Sequence, residues 1–366
     1  MRKTAAAALV ALGLWVTAAA PAAPAPAAPG PAAAPVAPAP VETVFIGDSS
    51  TANFGIAPTR GPAGCLRSAA NYPVEVVERL APAGVRLDVR ADVSCGGARI
   101  RDVWEAQSFA PSGGERAGEE RAGGERVAPQ ESALGPGTGL VVGSLGGNTA
   151  GVASILKQCS RRLRGAEGLM MPADPVDAAS PPSACAAYFQ GEGARWLAGR
   201  MAAVRQDLRR MFGRVKAESP NARVVLVGYP RLVPADTGRC LAEVPGGSEK
   251  PFADIGQDAL TFLDTGVQRP LGALMREAAE EAGATYVDLY ARTGATTGCD
   301  GARRGIGALL ESSEVSYGGR ELPWYVHPNR TGRDLQAAAV AEAVEGLLGA
   351  QVAPGWREGE RRPSEL

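Results

Sequence analysis

Five short apolar runs recur along the chain, each closed by glycine or by a polar residue. Val44-Phe45-Ile46 stops at Gly47; Val85, Leu87 and Val89 alternate with polar positions; Leu140-Val141-Val142, Val224-Val225-Leu226-Val227 and Tyr286-Val287-Asp288-Leu289 follow. Runs of this length with β-branched residues predict strands. Between them the period changes. Leu197, Met201, Val204, Leu208, Met211 and Val215 recur every three or four residues, with arginines between them, and Leu263, Val267, Leu271, Leu274 and Ala278 repeat the pattern. Such spacing places one apolar stripe on a helix. Residues 73–80 and 334–348 predict two further helices. Strands separated by helices pair in parallel through right-handed crossovers. The expected fold class is α/β, a three-layer α/β/α sandwich around a central, mostly parallel five-stranded sheet.

Several segments fall outside this pattern. Arg2 and Lys3 precede an apolar run over residues 4–20, which predicts a signal peptide over residues 1–22 and a secreted protein. Residues 23–40 are almost only Ala and Pro and predict an extended linker. Residues 110–128 contain GGERAGEERAGGER and predict a charged, Gly-rich surface insertion; residues 351–366 predict a polar, disordered tail. A single catalytic domain is expected over 41–350. The 38 basic and 39 acidic residues nearly cancel, so charge does not favour a nucleic-acid partner, and no stable membrane insertion is expected after signal cleavage.

Six cysteines in an exported chain predict three disulfides. Of the fifteen possible pairings, the one joining neighbours (Cys65 with Cys95, Cys159 with Cys185, Cys240 with Cys299) closes the shortest loops and is the one expected. With no CxxC and one histidine, a metal site is not expected.

That histidine, His327, is the only residue able to supply an imidazole. It stands in Tyr325-Val326-His327-Pro328-Asn329, just before the last helix, where a loop of an open α/β sheet can join a site. Ser49 follows the first strand in Gly47-Asp48-Ser49, where a sharp turn can present its hydroxyl, and a nearby base would activate it. Alternatively, Asp48 and Ser49 only cap the next helix. Gly97, in Cys95-Gly96-Gly97, and Asn148, in Gly146-Gly147-Asn148, each follow a predicted strand. A close-approaching backbone N–H and a side-chain amide are the donors that acyl transfer needs for an oxyanion.

Taken together, Ser49, Gly97, Asn148 and His327 resemble, in type and order, the consensus blocks of the SGNH (GDSL-type) hydrolases. The likeness runs over about residues 41–350 and includes Cys65-Leu66-Arg67-Ser68, Tyr72-Pro73 and Gly228-Tyr229-Pro230, similar to secreted bacterial members with three disulfides. The resemblance implies a flavodoxin-like sheet, no metal and no organic cofactor. It also implies an oxyanion hole from the N–H groups of Ser49 and Gly97 with the Asn148 amide. The expected function is that of a secreted serine esterase or lipase, with Ser49 as nucleophile and His327 as general base. It would act as a monomer on a small-molecule or lipid ester. A polysaccharide O-deacetylase, and an inactive envelope-binding protein on the same fold, are the alternatives.

Three positions depart from the family pattern: Ser50 stands where leucine is common, Thr149 where aspartate follows the asparagine, and Trp324 where an acid precedes the histidine by three residues. A histidine base needs an acceptor at its second nitrogen to fix its tautomer. The main-chain oxygen of Trp324 is the expected acceptor, with Glu321 the nearest carboxylate in sequence.

Overall fold

The computed structural model describes residues 39–109, 125–165 and 173–349. The expected signal peptide, most of the linker and of the charged insertion, and the tail lie outside these residues. At the insertion's described end, Arg126–Val127 pairs antiparallel with Gln107–Ser108, so paired strand stands where solvated surface is expected.

The sheet has five strands: β1 Val41–Gly47, β2 Leu87–Asp92, β3 Leu140–Ser144, β4 Arg223–Val227 and β5 Thr285–Val287. They run in the order β2-β1-β3-β4-β5 and every pairing is parallel. Helices α1 Tyr72–Leu80 and α4 Arg330–Gly349 cover one face, α2 Ala194–Glu218 and α3 Arg269–Glu281 the other. Successive strand residues divide between the layers, as a period of two requires. Val44, Ile46, Val141 and Leu226 pack toward α2 and α3; Phe45, Leu140, Val142, Val225 and Val287 pack toward α1 and α4. With both faces buried, the inner strands are almost wholly apolar. Edge strand β2 leaves Val89 39% exposed.

Three boundaries differ from the sequence pattern. The second strand starts at Leu87, leaving Val85 in the turn. β5 ends at Val287, because the Asp288 side chain accepts the Ala291 N–H and starts a short helix at Leu289. The continuous helix expected across 263–278 contains a π-helical stretch, Leu263–Gln268, immediately before α3. Pro270 has no N–H to donate four residues back, so the ladder widens there.

All three disulfides have the neighbour pairing: Cys65–Cys95, Cys159–Cys185 and Cys240–Cys299. Among the described residues, no helix is long and apolar enough to cross a membrane.

Candidate active site

The order β2-β1-β3 reverses the chain's direction across the sheet at β1, and loops leaving the C-terminal ends there part to form a crevice. Ser49, Gly97, Asn148 and His327 line that crevice. Gly47 ends β1 with φ +148°; a Cβ there would lie 2.2 Å from Thr51 Oγ1, so only glycine fits. Asp48 then caps the short helix Ser49–Ala52 by accepting the Ser50 N–H at 2.8 Å. Asp48 thus caps the helix, while Ser49 faces the cavity.

His327 Nε2 lies 2.7 Å from Ser49 Oγ, although 278 residues separate them. Its Nδ1 lies 2.9 Å from the Trp324 carbonyl oxygen, which also accepts the His327 backbone N–H at 3.0 Å. Among the described residues no carboxylate hydrogen-bonds the ring, and Glu321 is exposed. A tight turn brings the carbonyl round, with Tyr325 and Val326 both left-handed at φ 47° and 56°. For a β-branched residue this conformation is strained, and the surroundings must enforce it. Those surroundings are the Trp324 indole, buried against Gly55 and Gly307, and the Gly307 N–H, which donates to the His327 carbonyl at 2.9 Å. The Phe54 ring packs 4.8 Å from the imidazole. Burial lowers the His327 pKa, against the hydrogen bond to the Trp324 carbonyl, so the neutral ring is favoured.

Across the crevice, Gly97 is left-handed (φ 73°) and also lines the cavity. Its loop is tied back by the Cys65–Cys95 disulfide and by the Gly96 N–H, which donates to the Cys65 carbonyl at 2.8 Å. The Asn148 Nδ2 donates to the Ala98 carbonyl at 3.0 Å, which orients the amide beside Gly97. Thr149, the departure from the family pattern, accepts the Ile100 N–H on its Oγ1 at 3.0 Å and so joins the same two loops. Ser50 is satisfied as well: Gln336 Nε2 donates to its hydroxyl at 3.1 Å, and Gln336 also accepts from Asn53.

Two supports escape sequence reasoning. The buried Gln130 amide clamps Gly47, accepting its N–H at 2.7 Å and donating to its carbonyl at 2.9 Å. Tyr229 donates to Asp48 at 2.5 Å and accepts the Gly147 N–H at 2.7 Å, linking the serine loop to the asparagine loop. Burial pushes the Asp48 carboxyl up to about 7, despite the bonds from Tyr229 and Ser50 that lower it. Tyr229 stands in a tract that resembles the family; Gln130 sits in a short helical turn without periodicity, and no pattern marks it.

These groups open on a cavity of about 930 Å³ with walls from Phe54, Val152, Leu156, Leu263 and Val267. A hydroxyl within proton-transfer reach of a neutral imidazole can attack a carbonyl carbon.

The chain is similar to known proteins over most of its length. The model of the GDSL-like lipase/acylhydrolase family matches residues 45–335. An esterase of Streptomyces scabiei is 48% identical over 313 residues, covering 84% of this chain and 87% of that protein. Lipase 2 of Streptomyces coelicolor is 31% identical over 315 residues, covering 81% and 83%. Among solved structures, an extracellular lipase from Streptomyces rimosus superposes with a TM-score of 0.51 at 19% identity, covering 83% of this chain and 99% of its own.

Proposed function

This chain belongs to the GDSL-like lipase/acylhydrolase family and is an ester hydrolase; on that premise we propose that hydrolysis runs through an acyl-enzyme on Ser49. His327 Nε2 takes the Ser49 proton as Oγ attacks the ester carbonyl carbon. The negative charge that develops on the carbonyl oxygen is held by the N–H groups of Ser49 and Gly97 and by the Asn148 amide. His327 then gives its proton to the leaving alcohol. A water, deprotonated by the same imidazole, attacks the acyl group and releases the acid. The Trp324 carbonyl keeps the proton of neutral His327 on Nδ1, leaving Nε2 free to accept.

The observation that carries this reading is the 2.7 Å approach of the Ser49 hydroxyl to the one imidazole of the chain. The apolar walls supplied by Leu156, Leu263 and Val267 support acyl groups longer than acetyl, and so favour an esterase or lipase over an O-deacetylase. Three disulfides and the likeness to an extracellular lipase support secretion.

A chain-length series of aryl esters tests the substrate reading. The expected result is kcat/KM rising from acetyl to longer acyl chains. A maximum at acetyl, with acetate released from acetylated polysaccharide, would support the deacetylase instead.

A further inference from the structure

Helix α2 carries a row of arginines, and most of those that face neighbouring elements meet a carboxylate. Arg205 pairs with Glu277 at 2.5 Å, Arg209 with Glu281 at 2.9 Å, and Arg214 with Glu131. Arg200, at the cavity end of the same helix, does not. Among the described residues no carboxylate lies within ion-pair distance of it, and its Nε is buried without a hydrogen-bond partner. Its Nη2 makes only a long contact, 3.4 Å, to the carbonyl of Asn148. The guanidinium lies over the Trp196 ring at 5.9 Å, against the face left open by Gly151, where a Cβ would come within 2.7 Å of the indole.

Arg99 and Arg101 line the same cavity from the Gly97 side. Arg101 is partly answered by Glu105 at 3.6 Å; Arg99 has no ion-pair partner among the described residues. The nearby Asp102 already accepts the Arg99 backbone N–H at 2.7 Å. The Arg200 pKa is lowered, first by desolvation and then by Arg99 and Arg101, against the more weakly acting Asp207, so its charge is held at a cost. An anion placed among these side chains would offset that cost and could take charge-assisted hydrogen bonds from the guanidinium end near Asn148, where Nη2 makes only a 3.4 Å contact.

We infer that the cavity wall formed by Arg200, with Arg99 and Arg101 opposite, is an anion subsite, and that the favoured substrates are esters bearing a carboxylate or phosphate besides the scissile bond. This rests on the hydrolase reading and narrows it to a substrate class. Arg200 lies one residue's breadth from the proposed oxyanion donor Asn148, so a group bound there is tethered near the reacting carbonyl. Binding energy from such a remote group raises kcat/KM for the substrates that carry it.

Two matched pairs test this with the full-length secreted protein. One sets mono-4-nitrophenyl glutarate against 4-nitrophenyl pentanoate, placing the charge on the acyl side. The other sets dibutyrylglycerol phosphate against dibutyrylglycerol, placing it on the alcohol side. The quantity read is the ratio of kcat/KM, anionic over neutral, in which a general loss of activity or of folded protein cancels. The expected ratio is about tenfold in at least one pair at low ionic strength, falling as salt screens the contact. Arg200→Gln should bring it close to unity, and Arg200→Lys should restore part of it. A preference in either pair that Arg200→Gln removes supports the subsite and shows which side of the ester faces it. No preference in either pair, or one that Arg200→Gln leaves intact, overturns the subsite while the hydrolase reading stands. Wild-type protein that hydrolyses none of the four esters overturns both.

Discussion

Gly307→Ala tests the role of the Trp324 carbonyl without substituting Ser49, His327 or Trp324. A Cβ at position 307 would lie 2.1 Å from Trp324 Cγ, 2.5 Å from Cδ2 and 2.6 Å from Cβ. Contact becomes ordinary only at 3.4 Å, so the Trp324 side chain must retreat by about 1.3 Å (3.4 less 2.1). Turning the indole cannot relieve the clash at Trp324 Cβ, which is bonded to the backbone. The Trp324 peptide therefore shifts, and with it the carbonyl 2.9 Å from His327 Nδ1. Relieving the Cβ contact takes about 0.8 Å (3.4 less 2.6), enough to carry the 2.9 Å contact past hydrogen-bond range, and the imidazole loses the acceptor that keeps its proton on Nδ1. Misplacing the tautomer in a serine triad costs roughly 10⁴ in turnover, and a carbonyl without formal charge sets a smaller limit. We expect kcat/KM to fall by about 10² to 10³. The assay is hydrolysis of a short aryl ester, with a thermal melt to establish folding and the rate of organophosphate labelling to report Ser49 nucleophilicity. Labelling should slow in parallel with turnover. Gly346→Ala, at a site with nothing within 4 Å, is the control. Cooperatively folded Gly307→Ala protein with activity within about threefold of wild type would refute the carbonyl's role.

Other outcomes follow from the same geometry. Asn148→Ala should lower kcat by about 10² to 10³ with little change in KM, as loss of one oxyanion donor does; unchanged kcat would remove Asn148 from that role. Gln130→Met keeps the volume but frees both polar groups of Gly47. It should lower kcat and slow Ser49 labelling more than it lowers the melting temperature, whereas a purely structural role would move the melt alone. The kcat/KM profile should rise with pH through one limb lying below the ordinary histidine value of 6.5, because burial disfavours imidazolium; a limb above it would contradict that environment. Asp48, at about 7 in the fold against 3.8 ordinarily, binds more proton folded than unfolded, so its stabilising contribution is present at low pH and lost as pH rises through about 7. Asp48→Asn should flatten that part of the stability-pH curve, measured by denaturant melts, and an unaltered slope would show that another group sets it.

Features of the fold and site set by local rules are readable from sequence. Val44-Phe45-Ile46 and Leu140-Val141-Val142 are buried on both sheet faces, so their apolar runs are unbroken and visible. Glycine at 47 and 97 marks turns that other residues fit poorly. The uniqueness of His327 makes the candidate base a matter of counting. What stayed hidden depends on contacts between distant segments. Gln130 is one polar residue among many until its amide is found against Gly47, 83 residues away. The turn at Tyr325-Val326 runs against local preference, since neither residue favours left-handed backbone, and only packing around Trp324 holds it. The π-helical stretch follows from Pro270, yet an apolar stripe at helical spacing gives no sign of it. Trp324 itself shows both levels. On sequence grounds replacing Trp324 by Ala or Phe should leave substantial activity, because the position supplies only a carbonyl. Its seat between two glycines instead makes Phe tolerable and Ala costly, by about 3 to 5 kcal/mol for an aromatic core truncation.

The most direct measurement is mass spectrometry of the protein quenched during turnover of a slowly deacylated aryl ester. One acyl group should appear on the peptide containing Ser49, vanish in Ser49→Ala, and fail to form at a measurable rate in His327→Ala. An acyl adduct on another residue, or full turnover by His327→Ala, would contradict the shared action of these two side chains.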